Sequence, residues 1–591
     1  MAESVDRGND EYHQPLLISN TGFDHVYEGI VDYRGDKVPS VGSNIGGWRS
    51  ALLIIGAEFG ETIAFYGISS NLINYLTGPL GQSTVTSAAN INAWCGVVWM
   101  LPLLGAFIAD SYLGRFRTIF FSSLIYILGL GFLTVSVVLP SLMSPDEDVT
   151  HEVHETSSAP SFLVIFFFFS LYLVAVGKAG FKPCAEAFGA DQFDERNPEE
   201  CTSKSSFFNW WYFGLCVGSC ISRLTLTYIQ DNISWGLGFG IPCLSMLLGL
   251  FVFLIGWKTY RYLAEENKEN PLSRIARVFV ASAMNWKSTS VSTGNQEEGI
   301  RMSNNHLRVG AHQFKFLDKA LADIPNSNRF GSRKDGIYCS IDQVEDAKMV
   351  LRLVPIWISC LTYAVVAAQS MTFFTKQGST MNRTIRQGIQ IPPASLLTFI
   401  PLTVIFFIPI YDRLFVPLAR FITKKPNGIS TLQRIGCGIF VSTLSMVLAA
   451  VIEKKRLQTA FDFGLIDKPN ETVPISLWWL VPQYLLFGLA EVFAMVGLQE
   501  FFYDQVPDEL RSVGLSLYFS IFGIGDFLSG FLIYAIDKIS SGSHQGSWFS
   551  DNLNRAHLDY FYWFLAAIST VNLIGYLYVS KSYLYKRGSC V

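Results

Sequence analysis

The sequence has few charged residues and lacks the short motifs that mark common enzyme classes. Only 16% of its 591 residues are Asp, Glu, Lys or Arg, whereas 50% are hydrophobic. It contains no GxSxG elbow, no HExxH zinc motif and no Walker A loop, which argues against a hydrolase, a zinc protease or a self-contained ATP-driven pump. Lys and Arg are dispersed, without the basic stripe of a nucleic-acid-binding protein. We therefore expect neither an enzyme nor a nucleic-acid partner, and no cofactor or metal is implied.

The apolar residues lie in long blocks, for example Thr118–Leu139 and Phe162–Gly177. A helical block of ~20 apolar residues matches the hydrocarbon thickness of a bilayer. The sequence therefore predicts an all-α, multi-pass membrane protein. About twelve spans are predicted, at residues 50–73, 89–110, 116–140, 160–181, 207–229, 235–257, 350–374, 392–411, 430–451, 476–498, 512–535 and 557–580.

The longest break between spans divides the chain into two halves and is rich in Lys and Arg. Because positive residues stay cytoplasmic, the break and both chain ends are predicted to be cytosolic. An acidic residue shortly before a dileucine, in "EYHQPLL", resembles plant vacuolar sorting signals, so the plasma membrane and the vacuolar membrane both stay open. The predicted organisation is a disordered tail at 1–47, a six-helix bundle at 48–257, a cytosolic linker at 258–349, a second six-helix bundle at 350–580 and a tail at 581–591.

Two further patterns bear on this topology. The glycosylation pattern N-x-[ST] occurs at Asn232, Asn382 and Asn470, which all follow odd-numbered spans and share the non-cytosolic side. The basic stretch "EKKR" (Glu453–Arg456) conflicts with it, since it follows span nine and would also face outward.

The two halves echo each other after their second spans. "GAFIADSYLGRFR" follows span two and "PIYDRLFVPLAR" follows span eight, which places Asp110 and Arg115 in the first half and Asp412 and Arg413 in the second. Such echoes are expected of parallel repeats about an axis normal to the membrane. The four residues are candidate gating charges that pair and separate as the halves rock, or ordinary charges that anchor helix ends.

The first span carries two carboxylates and no Lys or Arg. Glu58, Glu61, Thr62 and Phe65 are three or four residues apart, so they share one helix face, and Tyr66 lies beside it. Because a carboxylate is costly inside a bilayer, this stripe is expected to face a water-filled cavity. There a carboxylate can alternate between carrying a proton and pairing with a cation.

Other ionisable residues inside spans are candidates for the same site. Lys178 and Lys182 in span four offer the positive charge, Glu491 in span ten offers a negative group from the other bundle, and Arg223 and Asp526 lie in spans five and eleven. The alternative is a static buried ion pair that only holds helices together. None of the eight His lies in a predicted span, which argues against a histidine proton relay.

Several long motifs, in one order from about Gly46 to Lys586, identify a resemblance. They include "FYGISSNLINYLTGPLGQ", "LPLLGAFIADSYLGRFRTI", "KPCAEAFGADQFDE", "SSFFNWWYFGLCVGS" and "GLQEFFYDQVPDELRSVGLSLY". The chain resembles the plant nitrate and peptide transporter family, part of the proton-dependent oligopeptide transporter group of the major facilitator superfamily, and is most similar to subfamily five. The resemblance implies two six-helix bundles, alternating access and symport of a small solute with protons.

The resemblance also assigns roles to individual residues. The family motif Glu-x-x-Glu followed by Arg or Lys falls on Glu58, Glu61 and position 62 and implies proton coupling. The family's span-four lysine falls on Lys182, its span-ten acidic position on Glu491, and the tyrosine after the motif on Tyr66. These three imply substrate binding.

The chain departs from the family pattern at two places. Position 62 is Thr62, so the basic member of the motif is missing, and Ala367 stands where a nitrate carrier of the family has a histidine. We expect Lys178 and Asp526, which are extra charges, to compensate partly for Thr62. The sequence thus predicts a secondary transporter of nitrate, a peptide-like molecule or another small solute, linked to protons. A proton-independent facilitator, an exporter and a substrate-binding membrane sensor with little transport stay open.

Overall fold

The computed structural model describes residues 26–39, 45–143, 161–194, 198–263, 271–285, 314–321, 339–384, 390–423, 429–506, 511–542 and 547–583. Twelve helices of these residues make up two bundles, and shorter or peripheral helices lie between them. Their bounds are α1 Gly47–Ser69, α2 Thr84–Ile108, α3 Arg115–Met143, α4 Ser161–Ala190, α5 Pro198–Asn232, α6 Trp235–Ile255, α7 Ile341–Ala368, α8 Phe399–Ile410, α9 Thr431–Asp462, α10 Val481–Asp504, α11 Arg511–Ser541 and α12 Leu558–Lys581.

The helices begin where local sequence satisfies their free N–H groups. Both α7 and α9 start with a capping box, in which Ser340 and Ser430 accept from the backbone of Gln343 and Gln433, whose side chains accept in return. This arrangement pairs N–H groups that have no partner within the helix. It fixes the first turn of α7 and of α9, the first and third helices of the second half.

Eleven helical segments of the described chain are long and apolar enough to cross a membrane. They coincide with eleven of the twelve predicted spans, which confirms the prediction of an all-α membrane protein. The twelfth predicted span, residues 207–229, lies inside α5. Helix α5 is not among the eleven segments, because polar residues such as Asn209, Arg223 and Asp231 interrupt its apolar sequence.

The packing of the second half repeats that of the first half six helices later. In the first half, α1 packs on α5 and α6, α4 packs on α2 and α3, and α3 packs on α6. In the second half, α7 packs on α11 and α12, α10 packs on α8 and α9, and α9 packs on α12. The halves contact each other through α2 with α11 and through α5 with α8. When each helix is replaced by its counterpart in the other half, one of these contacts becomes the other. This is the arrangement of parallel repeats that the sequence echo predicts.

The echo extends to the backbone. Helix α2 continues into a π-helical turn at Ala109–Leu113, and α8 continues into another at Tyr411–Phe415. Asp110 and Asp412 are the second residues of these two turns. The paired motifs therefore end their helices in the same unusual way.

Close helix contacts bring α4 against its neighbours. A Cβ at Gly105 of α2 would collide with the Ala179 carbonyl of α4, and a Cβ at Gly177 of α4 would lie 2.5 Å from the Tyr126 backbone nitrogen of α3. Small residues let helices in a membrane approach this closely. Helix α4, which carries Lys178 and Lys182, is thereby held near the centre of the first bundle.

The predicted disorder of residues 1–47 is wrong for part of this segment. Strand β1 (Val26–Val31) pairs antiparallel with β2 (Lys37–Pro39) and with β3 (Tyr262–Leu263), which follows α6. The polar composition suggested an unstructured tail, but the sheet satisfies its backbone groups. Residues 1–25, which include the dileucine, and residues 40–44 lie outside the described residues.

The linker prediction also needs correction at its second boundary. Helix α7 begins at Ile341 rather than at residue 350, and an additional helix, Pro271–Met284, packs on it. Arg274 of this helix pairs with Asp346 of α7 at 2.9 Å. Charged residues in the first turns of α7 made this part look like loop, although they lie beyond the apolar span.

The structure accounts for one of the three basic residues in the stretch that conflicts with the predicted topology, whereas Lys454 and Lys455 are exposed. Helix α9 continues through Glu453–Arg456, and Glu453 and Arg456 are both 0% exposed. Arg456 donates to both carboxylate oxygens of Glu453, at 2.7 and 2.9 Å, and to Asn554 at 2.7 Å. One positive charge of the stretch is thus neutralised internally, so less charge is exposed than the sequence suggests.

Arg456→Met should lower the free energy of unfolding by about 3–5 kcal/mol, because it leaves Glu453 buried without its partner. Unfolding of the purified protein in detergent, followed by tryptophan fluorescence, would measure the change. The matched control is Arg555→Met, whose pair with Asp467 is 61% and 70% exposed and is worth about 0–1 kcal/mol. Equal losses in the two variants would contradict this account.

Candidate functional site

A cavity of about 260 Å³ lies between the two bundles. Helices α1, α2, α4 and α5 line one side of it, and α7, α8, α10 and α11 line the other. Its wall includes ten aromatic residues of the described chain, and its charged residues come from both bundles. They are Glu61, Lys178, Lys182, Glu186, Arg223, Glu491 and Asp526.

The predicted stripe on α1 faces this cavity. Glu61, Thr62, Phe65 and Tyr66 line it, while Glu58 lies just beneath the surface and is 2% exposed. The three- and four-residue spacing places these side chains on one face of the helix, as the sequence predicts.

Lys182 of α4 supplies the cation for Glu58. Its Nζ forms an ion pair with Glu58 Oε1, and Lys182 itself lines the cavity. The second carboxylate oxygen of Glu58, Oε2, has no hydrogen-bond partner among the described residues. Glu58 is therefore held by one cation, and that cation is accessible from the cavity.

Lys178, one turn earlier on α4, supplies the cation for Glu61. Its Nζ lies 2.5 Å from Glu61 Oε1 and 3.7 Å from the centroid of the Phe65 ring. The Tyr126 hydroxyl donates to the same carboxylate oxygen at 3.2 Å. Lys178 is 6% exposed, so the pair is buried. The sequence left open which lysine meets which glutamate, and the structure assigns one to each.

Thr62 occupies the position at which the family has a basic residue. It is 1% exposed, and its hydroxyl has no hydrogen-bond partner among the described residues. A Cβ at Gly218 of α5 would lie 3.1 Å from the Thr62 methyl group, so the two helices meet closely here. The cation that meets Glu61 comes from Lys178 on α4 and not from α1.

Arg223 of α5 is a site residue to which the sequence assigned no role. It is 5% exposed, and its guanidinium lies 4.4 Å from the centroid of the Tyr66 ring. Its Nη1 donates to the Leu397 carbonyl of the second bundle at 2.9 Å, while its Nε has no partner among the described residues. Arg223 therefore joins the bundles and keeps one donor free at the cavity wall.

Two more carboxylates line the cavity near these cations. Glu491 of α10 lies within Coulombic range of Arg223, across the gap between the bundles. Glu186, one turn after Lys182 on α4, lies within Coulombic range of that lysine. The sequence did not predict Glu186, although its four-residue spacing from Lys182 was a usable signal.

Asp526 of α11 also lines the cavity and is 8% exposed. It forms no ion pair or hydrogen bond with any residue that the structure describes. A carboxylate cannot supply the positive charge that Thr62 lacks. That Lys178 and Asp526 compensate partly for Thr62 stays a prediction; of the two, Lys178 is the residue that forms an ion pair with Glu61.

The predicted gating residues lie at the end of the molecule where α1 begins and α12 ends, here called the linker end. Arg115 pairs with Asp191, which follows α4 in the same bundle. Arg413 is exposed in its π-helical turn, and the side chains of Asp110 and Asp412 lie outside the description. Pairing of these four residues across the bundles stays a prediction.

Hydrogen bonds between the bundles lie at the opposite end, here called the loop end. Thr227 meets Ser395 at 3.0 Å, Lys376 donates to Thr77 at 2.9 Å, and the Thr84 backbone donates to Asp551 at 2.6 Å. With the contact of Arg223, they close the loop-end side of the cavity.

The arrangement can exchange ion pairs without moving the backbone far. A proton on Glu58 or Glu61 removes its charge and releases a lysine, which can then meet an anionic group in the cavity. Glu491 and Asp526 offer acidic groups on the facing wall. The site thus has the groups needed to bind a small polar solute and to sense its charge.

Comparisons with known proteins agree with this geometry. The sequence profile of the POT family matches residues 116–549. The chain is 58% identical over 584 residues to the protein NRT1/PTR FAMILY 5.10 of Arabidopsis thaliana, covering 99% of each chain. It is 52% identical over 559 residues to NRT1/PTR FAMILY 5.14 of the same plant, covering 94% of this chain and 96% of that protein.

Solved structures show the same fold. An auto-inhibited POT family peptide transporter matches with a TM-score of 0.67 and 20% identity, over 91% of this chain and 97% of that chain. The POT family transporter PepTSo matches with a TM-score of 0.66 and 20% identity, over 91% of this chain and 99% of that chain. The two bundles therefore have the major facilitator fold of these transporters, and the chain belongs to the POT family, among the relatives named NRT1/PTR family 5.

Proposed function

We propose that this protein moves a small solute across a plant membrane by alternating access, in symport with protons. The observation that carries the proposal is the double ion pair between α1 and α4 at the cavity wall, Glu58 with Lys182 and Glu61 with Lys178. The solute is nitrate, a peptide-like molecule or another small organic molecule.

Protonation links the ion pairs to solute binding. A buried charge that loses its partner is costly, so a lysine released by a protonated glutamate favours an anionic ligand group. Lys182 is the better candidate for this role, because it lines the cavity and its side chain is 18% exposed, against 7% for Lys178. Tyr66 and Glu491 complete the proposed binding site from the two bundles.

Alternating access requires the contacts at the loop end to break. The contact of Thr227 with Ser395 and that of Arg223 with Leu397 join α5 to the segment before α8. With the chain ends cytosolic, as the distribution of Lys and Arg favours, this closed side faces away from the cytosol. The conformation then corresponds to the inward-facing half of the cycle, and Asp110, Arg115, Asp412 and Arg413 are the proposed gate of the other half.

Lys178 takes over the role of the missing basic residue of the motif in this proposal. It meets Glu61 from α4, together with the Tyr126 hydroxyl, so Glu61 has two donors even though position 62 is Thr. Proton coupling would then depend on the distance between α1 and α4 and not on neighbouring residues of one helix.

Lys182→Ala should abolish solute uptake while the amount of protein in the membrane stays unchanged, because Glu58 loses its cation and the solute its anchor. Uptake into proteoliposomes with nitrate, dipeptides and plant hormones, at an acidic and a neutral pH, would measure it. Lys468→Ala, which removes an exposed lysine 57% accessible to solvent, is the control. Unchanged uptake in Lys182→Ala would remove this residue from the site.

Lys178→Met should abolish the response of uptake to a proton gradient, whereas Lys178→Arg should keep it. The reason is that only the second variant retains a cation for Glu61. The same proteoliposomes, with and without an imposed gradient, provide the measurement. A gradient response that persists in Lys178→Met would show that Lys178 does not take the role of the missing residue. Wild-type flux that ignores the gradient would favour a facilitator, and binding without flux would favour a sensor.

Thr62→Arg should increase the dependence of uptake on the proton gradient and should restore part of it in the Lys178→Met background. The added guanidinium would stand directly after Glu61, where the family places its cation. Because Thr62 packs closely against Gly218 of α5, the longer arginine side chain must extend into the cavity. Lower activity of the double variant with no new pH response would argue that the site is built around Thr62.

A further inference from the structure

Asp526 differs from the other carboxylates of the cavity. Glu58 and Glu61 are paired with lysines, and Glu186 and Glu491 lie within Coulombic range of a cation. Asp526, in contrast, is 8% exposed and has no basic partner among the residues that the structure describes. A carboxylate in this position is costly unless a ligand meets it, and ionisable residues of this kind inside membrane proteins usually serve function.

The packing of α11 holds Asp526 in place. Gly525, beside it, packs against Ala364 of α7. Ser529, three residues further on, accepts from Asn92 at 3.0 Å and from Gln369 at 2.9 Å. The helix is thereby packed on both sides, which holds the Asp526 backbone at the cavity that its side chain lines.

Aromatic rings occupy the cavity wall beside Asp526. Phe522, one turn earlier on α11, lies 5.7 Å from the Trp99 ring and 6.3 Å from the Tyr363 ring, measured between centroids. Trp99 also stacks on Phe519 at 5.9 Å. Aromatic faces attract organic cations, and a carboxyl group beside them can form a charge-assisted hydrogen bond with an ammonium group. The same groups repel a simple anion.

We infer that Asp526, with Trp99 and Phe522, forms a subsite for an ammonium group attached to an apolar or aromatic body. That such an amine is a transported solute rests on the proposed function, but the inference that it binds at this subsite does not. The subsite favours amine-bearing solutes over an inorganic anion such as nitrate. Asp526 and Phe522 belong to α11 of the second bundle and Trp99 to α2 of the first, whereas the paired lysines belong to α4.

Binding to the purified full-length protein in detergent tests this inference, with calorimetric titration of 2-phenylethylamine and of its uncharged analogue 2-phenylethanol. In the wild type the amine should bind at least about tenfold more tightly, the difference expected of one charge-assisted contact. Asp526→Asn should remove this preference and Asp526→Glu should keep it. Asp462→Asn, at the exposed end of α9, is the control that should not change it.

A wild type without preference for the amine would overturn the inference, and so would a preference that survives in Asp526→Asn. If Asp526→Asn does not fold, loss of the preference in Phe522→Leu, which removes the neighbouring ring, supports the subsite, and its persistence there overturns it. Because the readout is binding, a protein that binds the amine through Asp526 but carries no solute would contradict the proposed function and leave the subsite standing.

Discussion

Two buried lysine–glutamate pairs between α4 and α1 are the constraint on which the rest of the site depends. Each charge alone would be costly in the low dielectric of a membrane bundle, and the cost falls only while the two helices stay close. The close contacts of α4 at Gly105 and Gly177 meet this requirement. They set α4 deep enough between α2 and α3 for both lysines to reach α1. Helix packing and charge pairing are thus one structural feature, and a change in either affects the other.

Much of this fold could be predicted from the sequence, because span length, charge sorting and the stripe on α1 are local patterns. Partner choice could not be predicted, since it depends on helix rotation and depth. Lys178 meets Glu61, Arg115 meets Asp191, and Arg223 reaches the Leu397 carbonyl only after the bundles have packed. The sheet of β1, β2 and β3 was missed for a related reason, because two of its strands are separated in sequence by the whole first bundle.

The two bundles share their packing but not their charges. Within the described residues of the cavity wall, all three cations, Lys178, Lys182 and Arg223, come from the first bundle, while Glu491 and Asp526 come from the second. The first bundle also contributes Glu61 and Glu186, so its wall carries both signs of charge, whereas the second bundle contributes carboxylates alone among these charged residues. The two bundles repeat the same helix packing, but their side chains make the two walls of the cavity chemically different. A carrier built in this way can change its solute by substitution on one wall without altering how the bundles move.

The loss of a basic residue at position 62 has a mechanical consequence in this setting. In the motif that the family resemblance implies, the cation and the glutamates belong to one helix, so their distance is fixed by helix geometry. Here the cation for Glu61 stands on α4, and the pair exists only while α1 and α4 keep their distance. On the proposed mechanism, protonation of Glu61 then weakens a contact between helices and not merely a contact within one. The same substitution that looks like a loss of coupling in the sequence thus makes the proton state of Glu61 a determinant of how firmly α1 is held against α4.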